Sequence, residues 1–472
     1  MKKYSALKEI QALISQKQLT LPDLLAYYFK QISDHEHLNA FNEVFFYSAE
    51  VQAKAVQEKI EQGTAGKLAG MVIGIKDNIC YQDHIVTASS KMLDGFVSPY
   101  SATVVQRLLQ EDAVIIGRLN YDEFAMGGSN ETSYFGPARN AANPELVPGG
   151  SSGGSAVAVQ ADMCLAALGT DTGGSVRQPA AFCGQIGLKP TYGRISRYGV
   201  IAYASSFDQV GPITSSVEDA ALLLQILAGA DDHDSTVSSS AVPDYPAHLN
   251  DDKKQRIAVL KETIESDALD PEIKAAILQS IADLQEKGHT IEYVSFDLLE
   301  YLVPAYYILT TAEASSNLSR YDGVHYGHRN TDAKSLTELY KLSRAEGFGE
   351  EVKKRILLGT FVLSAGYYDA YYQKAQQVRR LIREKMDHLF KNYDLILSPV
   401  APTTAFKIGD HAQDALIMYL ADIFTVLPSL SGNPAIALPL GNNEAGLPLS
   451  IQFTAKHFEE DKLLAFSQAF LK

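Results

Sequence analysis

Short apolar runs alternate with helical patterns along most of this chain, and that alternation restricts its fold more than any other feature. Met71 to Ile75, Ala113 to Gly117, Arg256 to Leu260, Leu395 to Leu397, Ala435 to Leu440 and Leu449 to Phe453 read as buried strands. Between several of them lie amphipathic stretches. Thr103 to Gln110 carries Val104, Val105 and Leu108, and Val217 to Leu227 follows Ser216 as an N-cap. Asp270-Pro271 opens another helix, with proline at the position where its missing N–H is harmless. There Ile273, Ile277, Ile281 and Leu284 share one face, and Gly288 stops it. Strands alternating with helices predict an α/β layered fold whose sheet is covered on both faces.

With 472 residues, 46% of them hydrophobic, the chain can bury a large core. Residues 229–254 read as a surface loop within one domain spanning 1–472, because strand signals resume in the same style after it. Residues 301–386 are tyrosine-rich and helical, a layer over one end of the sheet. Leu7, Ile10, Leu13 and Ile14 form an amphipathic stripe rather than a signal peptide, and no 18-residue apolar run exists, so no membrane association is expected. Cys80, Cys164 and Cys183 make no metal spacing and are odd in number, which fits a reducing, cytoplasmic compartment. Against 41 Lys and Arg stand 56 Asp and Glu, a formal charge of −15. Such a surface repels phosphate backbones, so any nucleic acid is expected to be held by a partner.

The chemistry concentrates in two clusters. Pro148-Gly149-Gly150-Ser151-Ser152-Gly153-Gly154-Ser155 is followed by Gly169-Thr170-Asp171-Thr172-Gly173-Gly174-Ser175. A flexible linker does not fit, because Ala156-Val157-Ala158-Val159 resumes at once. A phosphate loop needs a lysine before Ser/Thr at its end, and none is there. Gly149 to Gly153 matches the esterase elbow G-x-S-x-G, with Ser151 as nucleophile, but that motif needs a strand running into the turn. Pro144 and Pro148 spoil such a strand. The fourth reading has two serines relaying a proton to a lysine that burial keeps neutral. Lys76, at the end of the run Met71 to Ile75, is placed for that role.

Gly-Ile-Lys-Asp-Asn at 74–78, the two glycine–serine blocks, and Gly187-Leu188-Lys189-Pro190-Thr191-Tyr192-Gly193 together resemble the amidase signature family. The serine spacing, 175 − 151 = 24, is that family's. The resemblance implies an α/β/α sandwich around a mixed, largely parallel sheet. It implies Ser175 as nucleophile, Ser151 as bridging serine after a non-proline cis peptide, and Lys76 as base. The N–H groups of Thr172, Gly173, Gly174 and Ser175 would form the oxyanion hole, and Asp171 and Arg177 would brace the loop.

Further blocks narrow the resemblance. Asn120 to Gly127, Ala305-Tyr306-Tyr307, Glu313 to Leu318, Arg320 to Gly323, Glu351 to Gly359, Gly366 to Tyr372 and Met418 to Asp422 are similar to one branch, the A subunits of glutamyl-tRNA(Gln) amidotransferases. That similarity implies a glutaminase whose ammonia passes to a partner, within a heterotrimer with subunits B and C. ATP and Mg would be used at the partner, tRNA would be bound mainly there, and this chain would need no cofactor or metal. Arg355 would hold the glutamine carboxylate and Asp422 its ammonium, with Tyr306, Met126 and Gly127 lining the substrate. A guanidinium and a carboxylate suit a zwitterion. Read singly, Arg355 equally fits an i,i+4 ion pair with Glu351, and Asp422 a helix cap. Tyr121 and Gly128 depart from the branch, which commonly has methionine and serine there. A stand-alone amidase for a small or aryl amide is the alternative.

Overall fold

A computed structural model describes residues 3–251, 253–410 and 422–472. Its eleven strands are β1 (Phe41–Val44), β2 (Val72–Lys76), β3 (Val114–Leu119), β4 (Ala166–Asp171), β5 (Ile186–Lys189), β6 (Gln209–Thr214), β7 (Arg256–Leu260), β8 (Thr290–Val294), β9 (Leu395–Ser398), β10 (Ala435–Asn442) and β11 (Pro448–Ala455). They form one sheet in the order β1-β3-β2-β4-β6-β5-β10-β11-β9-β7-β8.

The sheet is mixed, as expected, but its balance differs from the largely parallel arrangement that the sequence implied. β3-β2-β4 and β9-β7-β8 are parallel blocks. The remaining pairings, including the whole centre from β4 to β9, are antiparallel. For β10 and β11 the reason lies in their connection. A parallel neighbour needs a crossover of a dozen or more residues, whereas β10 and β11 are joined by a short turn through Gly446 and can only pair antiparallel.

Both faces of the sheet are covered. Along β7, Ile257 and Val259 belong to one hydrophobic cluster while Ala258 and Leu260 belong to another; along β9, Leu395 and Leu397 oppose Ile396 in the same way. Period-2 alternation between two apolar layers explains why these strands read as unbroken apolar runs. The second cluster is roofed by helices Leu299–Asn317, Glu350–Val362 and Lys374–Leu389. The expected helices Thr103–Gln110, Val217–Leu227 and Pro271–Glu286 form with those bounds or within two residues of them. Ser216 accepts from the Asp219 N–H and Asp270 from the Glu272 N–H, the capping bonds that start the last two. Among the described residues no helix is long and apolar enough to cross a membrane, and all three cysteines are buried and unpaired.

Candidate active site

Lys76 is the last residue of β2, and its side chain is fully buried. Asp77, next along, fixes the strand's end by accepting from the Thr87 N–H at 2.9 Å, the Asn42 amide at 2.8 Å and Arg118 at 2.7 Å. Lys76 Nζ lies 2.7 Å from Ser151 Oγ, 2.8 Å from Ser152 Oγ and 3.3 Å from the Thr170 carbonyl. Burial pushes its ammonium from the ordinary 10.5 down to about 7, against the opposing pull of Asp122, Asp171 and Asp208. A lysine in this state is half neutral near pH 7 and can accept a proton from a serine hydroxyl.

Ser151 follows a cis Gly150–Ser151 peptide. No strand leads into it: the nearest extended residue upstream, Leu146, makes only an isolated bridge with Lys407. The elbow reading of Ser151 therefore lacks the strand it requires. Strand–turn–helix geometry occurs instead at the second cluster, where β4 runs into Thr172–Ser175 and then helix Arg177–Phe182. The clusters touch, since the Ser152 N–H donates to the Ser175 carbonyl at 3.1 Å. Ser151 is sealed at 0% exposure, whereas Ser175 keeps 8%, so Ser175 is the hydroxyl nearer to solvent.

Asp171 organises the turn. Its carboxylate accepts from the Gly174 N–H at 2.9 Å, the Val176 N–H at 3.2 Å, and Nε and Nη2 of Arg177 at 2.9 Å each. Arg177, also fully buried, continues to Gln452 at 2.6 Å and Ser429 at 3.1 Å. The Arg177 guanidinium holds the Asp171 carboxyl below the usual range despite its burial. This network corrects the expected oxyanion hole: the Gly174 N–H is already spent on Asp171. The N–H groups of Thr172, Gly173 and Ser175 have no partner among the described residues and remain available. Gly174 adopts φ +142°, a backbone state that side-chain-bearing residues rarely reach. A Cβ on Gly173 would lie 2.5 Å from the tip of the Tyr306 ring, so Tyr306 is packed directly over the turn.

Tyr306 sits on the same helix as Tyr307, and it is Tyr307 whose hydroxyl donates to Asp422 at 2.9 Å. Burial raises the Asp422 carboxyl to about 7, opposed by that bond and by Arg355. Arg355, on helix Glu350–Val362, donates through Nε to Glu351 and through Nη1 to the Tyr203 hydroxyl, both at 2.8 Å. The helical i,i+4 ion pair thus exists, yet it leaves Nη2 without a partner among the described residues. Arg355 also lies 5.3 Å from the Tyr307 ring centroid. Arg355, Asp422, Tyr306 and the Ser175 turn are thereby brought into one constellation from distant segments. Met418 to Ala421, also part of the expected block, lie outside the described residues.

Met126 and Gly127 divide. Met126 is fully buried within the second hydrophobic cluster, so its side chain faces core. Gly127 is half-buried, and a Cβ there would collide with the carboxyl group of Asp122, whose carboxylate receives the Asn130 N–H at 2.8 Å. Sequence reasoning missed several participants. Ser152 hid inside the serine run, and Tyr203 and Glu123 carried no local signal. Glu123 accepts from the Gly349 N–H at 2.8 Å and from the Ser90 hydroxyl, tying the 122–127 segment to the start of the Arg355 helix.

A family model described as Amidase matches residues 23–464. The chain belongs to this family. Among similar proteins, the A subunit of a glutamyl-tRNA(Gln) amidotransferase from Synechococcus sp. (strain WH7803) is 52% identical over 435 residues, 92% of this chain and 89% of the relative. The crystal structure of the glutamyl-tRNA(Gln) amidotransferase A subunit from Thermotoga maritima superposes with TM-score 0.78 at 37% identity, covering 95% of this chain and 93% of that one. A peptide amidase from Stenotrophomonas maltophilia gives 0.82 at 29% identity, covering 98% and 95%. The amidase fold is thus common to relatives whose names differ in substrate, and the Arg355–Asp422 end of the site becomes the informative part.

Proposed function

We propose that this chain hydrolyses glutamine and supplies ammonia to a partner that amidates glutamyl-tRNA(Gln). One observation carries the reading: a guanidinium, Arg355, whose Nη2 has no partner among the described residues, and a carboxylate, Asp422, both meet Tyr307, next to the Tyr306 that packs over the turn bearing Ser175. Their charges complement the α-carboxylate and α-ammonium of a free amino acid, whereas a neutral amide has no use for either. The similarity to the A subunits supports the same substrate.

In this mechanism Ser175 Oγ attacks the side-chain amide carbon of glutamine. Its proton passes to Ser151 while the Ser151 proton passes to Lys76 Nζ. The N–H groups of Thr172, Gly173 and Ser175 receive the developing oxyanion. Lys76 returns the proton through Ser151 to the departing nitrogen, and ammonia leaves a glutamyl ester on Ser175. Water then hydrolyses the ester by the reverse relay. Tyr306 packs over the turn and would line the bound side chain, as would the Gly127 backbone.

The partner would be subunits B and C of a heterotrimer, with ATP, Mg and most tRNA contact on the partner. The chain's net charge of −15 supports that division. Ammonia protonates quickly in water near neutrality, so a closed path between the two sites is expected. The test is glutaminyl-tRNA formation by the reconstituted complex with ATP. Ser175→Ala should lose glutamine-dependent synthesis on the order of 10³-fold or more, while ammonium chloride restores it. An assembled Ser175→Ala complex that ammonium cannot rescue, where it supports the wild type, refutes the divided labour. Good turnover of aryl amides with poor turnover of glutamine would establish the stand-alone amidase.

A further inference from the structure

Lys76 must hold a proton briefly and then give it back. Among the described residues no carboxylate makes ion-pair contact with its Nζ. Asp122, Asp171 and Asp208 face it only from a distance, each engaged by its own donors. The three acceptors around Nζ, Ser151 Oγ, Ser152 Oγ and the Thr170 carbonyl, are neutral. The remaining flank is occupied by an aromatic face: the Tyr121 ring centroid lies 4.7 Å from Nζ.

Tyr121 is itself fully buried, and its hydroxyl has no hydrogen-bond partner among the described residues. A buried unpaired hydroxyl is unfavourable, so the hydroxyl does not account for a tyrosine at this position. The ring has a use. Its negative face attracts a cation, and more strongly in a desolvated site than at the surface.

We propose that Tyr121 is a positioning residue whose ring face serves as the neutral counter-charge for the Lys76 ammonium that forms during the reaction. This rests on reading Lys76 as the proton acceptor. A carboxylate in contact would hold the proton too firmly for the lysine to be a base near neutrality. With neither carboxylate nor ring, the ammonium would be so disfavoured that the lysine would be a poor acceptor. The ring gives an intermediate stabilisation and has no titration of its own near neutral pH. The groups around Tyr121 in turn are Asp77, Glu123, Cys80 and Tyr321. Of these, Asp77 is held by Arg118 and Glu123 is engaged by Ser90 and Gly349.

The experiment compares Tyr121→Phe, Tyr121→Leu and Tyr121→Met in the full chain. The readout is the rate of Ser175 modification by phenylmethylsulfonyl fluoride against pH, which avoids the glutamine-binding groups. Tyr121→Phe keeps the ring, so its acid limb should coincide with that of the wild type, and its thermal stability should be equal or higher. Tyr121→Leu and Tyr121→Met lose the ring. Their limbs should move to lower pH by about one unit, with a lower plateau rate. Limbs of both ring-less variants coinciding with the wild type, or a Tyr121→Phe limb moving as far as theirs, overturns the inference. Should one ring-less variant fail to fold, the other decides. A Lys76→Met control separates the two layers. Undiminished labelling in that variant refutes the lysine as base, whereas lost labelling with unmoved ring-less limbs refutes only the role of Tyr121.

Discussion

If Lys76 is a neutral base, replacing it should stabilise the protein at neutral pH and do so less at alkaline pH. In the folded chain its ammonium titrates at about 7 rather than the ordinary 10.5. Between those values the unfolded chain binds one proton more than the folded chain. Folding stability at this site therefore rises with pH, by about 1.4 kcal/mol per unit. At pH 7 the folded lysine is half neutral, and by pH 9 it is almost wholly so. Integrated over that interval, the wild type gains about 2 kcal/mol relative to Lys76→Met, which has a similar length and no proton to lose. Against the variant stands the loss of hydrogen bonds to Ser151, Ser152 and Thr170, roughly 1 kcal/mol each. Ser152 can offset part of that loss, since its hydroxyl already reaches the Thr170 carbonyl at 3.2 Å. Lys189, also buried with an ammonium lowered to about 7, is present in both proteins and cancels in the comparison. Urea unfolding of both proteins at pH 7 and pH 9 measures the difference. A gap that stays constant, or moves in favour of Lys76→Met as pH rises, means that the folded lysine is charged, and the base mechanism falls with it.

Other perturbations test the surrounding site. Because Lys76 must lose a proton and Asp422, raised to about 7, must also lose one to hold an ammonium, log kcat/KM for glutamine should fall with a slope near two well below pH 6; Asp422→Asn should lower activity and reduce the slope to one, and a wild-type slope of one contradicts this. Asp171→Asn leaves the buried Arg177 guanidinium unpaired and should lower stability by about 3–5 kcal/mol, measured by urea unfolding; a loss under 1 kcal/mol would mean that Gln452 and Ser429 suffice for Arg177. Glu123→Gln weakens the tie to the Gly349 N–H and should raise KM for glutamine about 3- to 10-fold with little change in kcat. An unaltered KM there would show that the Arg355 helix is placed without Glu123.

The amino-acid sequence by itself determined six of the strands, β2, β3, β7, β9, β10 and β11, together with the capped helices and the catalytic segments. β2, β3, β7 and β9 were legible because both faces of each are buried, which leaves unbroken apolar runs. Helices Val217–Leu227 and Pro271–Glu286 were legible because their caps are local, Ser216 and Asp270 bonding residues two or three along. Lys76, Ser151 and Ser175 were legible through contiguous blocks whose spacing matches a known family. β1, β4, β5, β6 and β8 were not; of these β5 and β6 are short and carry glycine, and β6 contains Pro212, so propensity argues against them while the sheet's centre demands them. Only the tertiary structure decided which neighbours lie antiparallel, because pairing direction is a property of long-range contacts rather than of any one run. It alone placed Tyr203 against Arg355 and Tyr307 against Asp422, across 152 and 115 residues of chain. It also spent the Gly174 N–H on Asp171 and set the Tyr121 ring beside Lys76. Burial and the field of distant groups set the lysine's affinity for its proton, and neither exists until the sheet has closed around it.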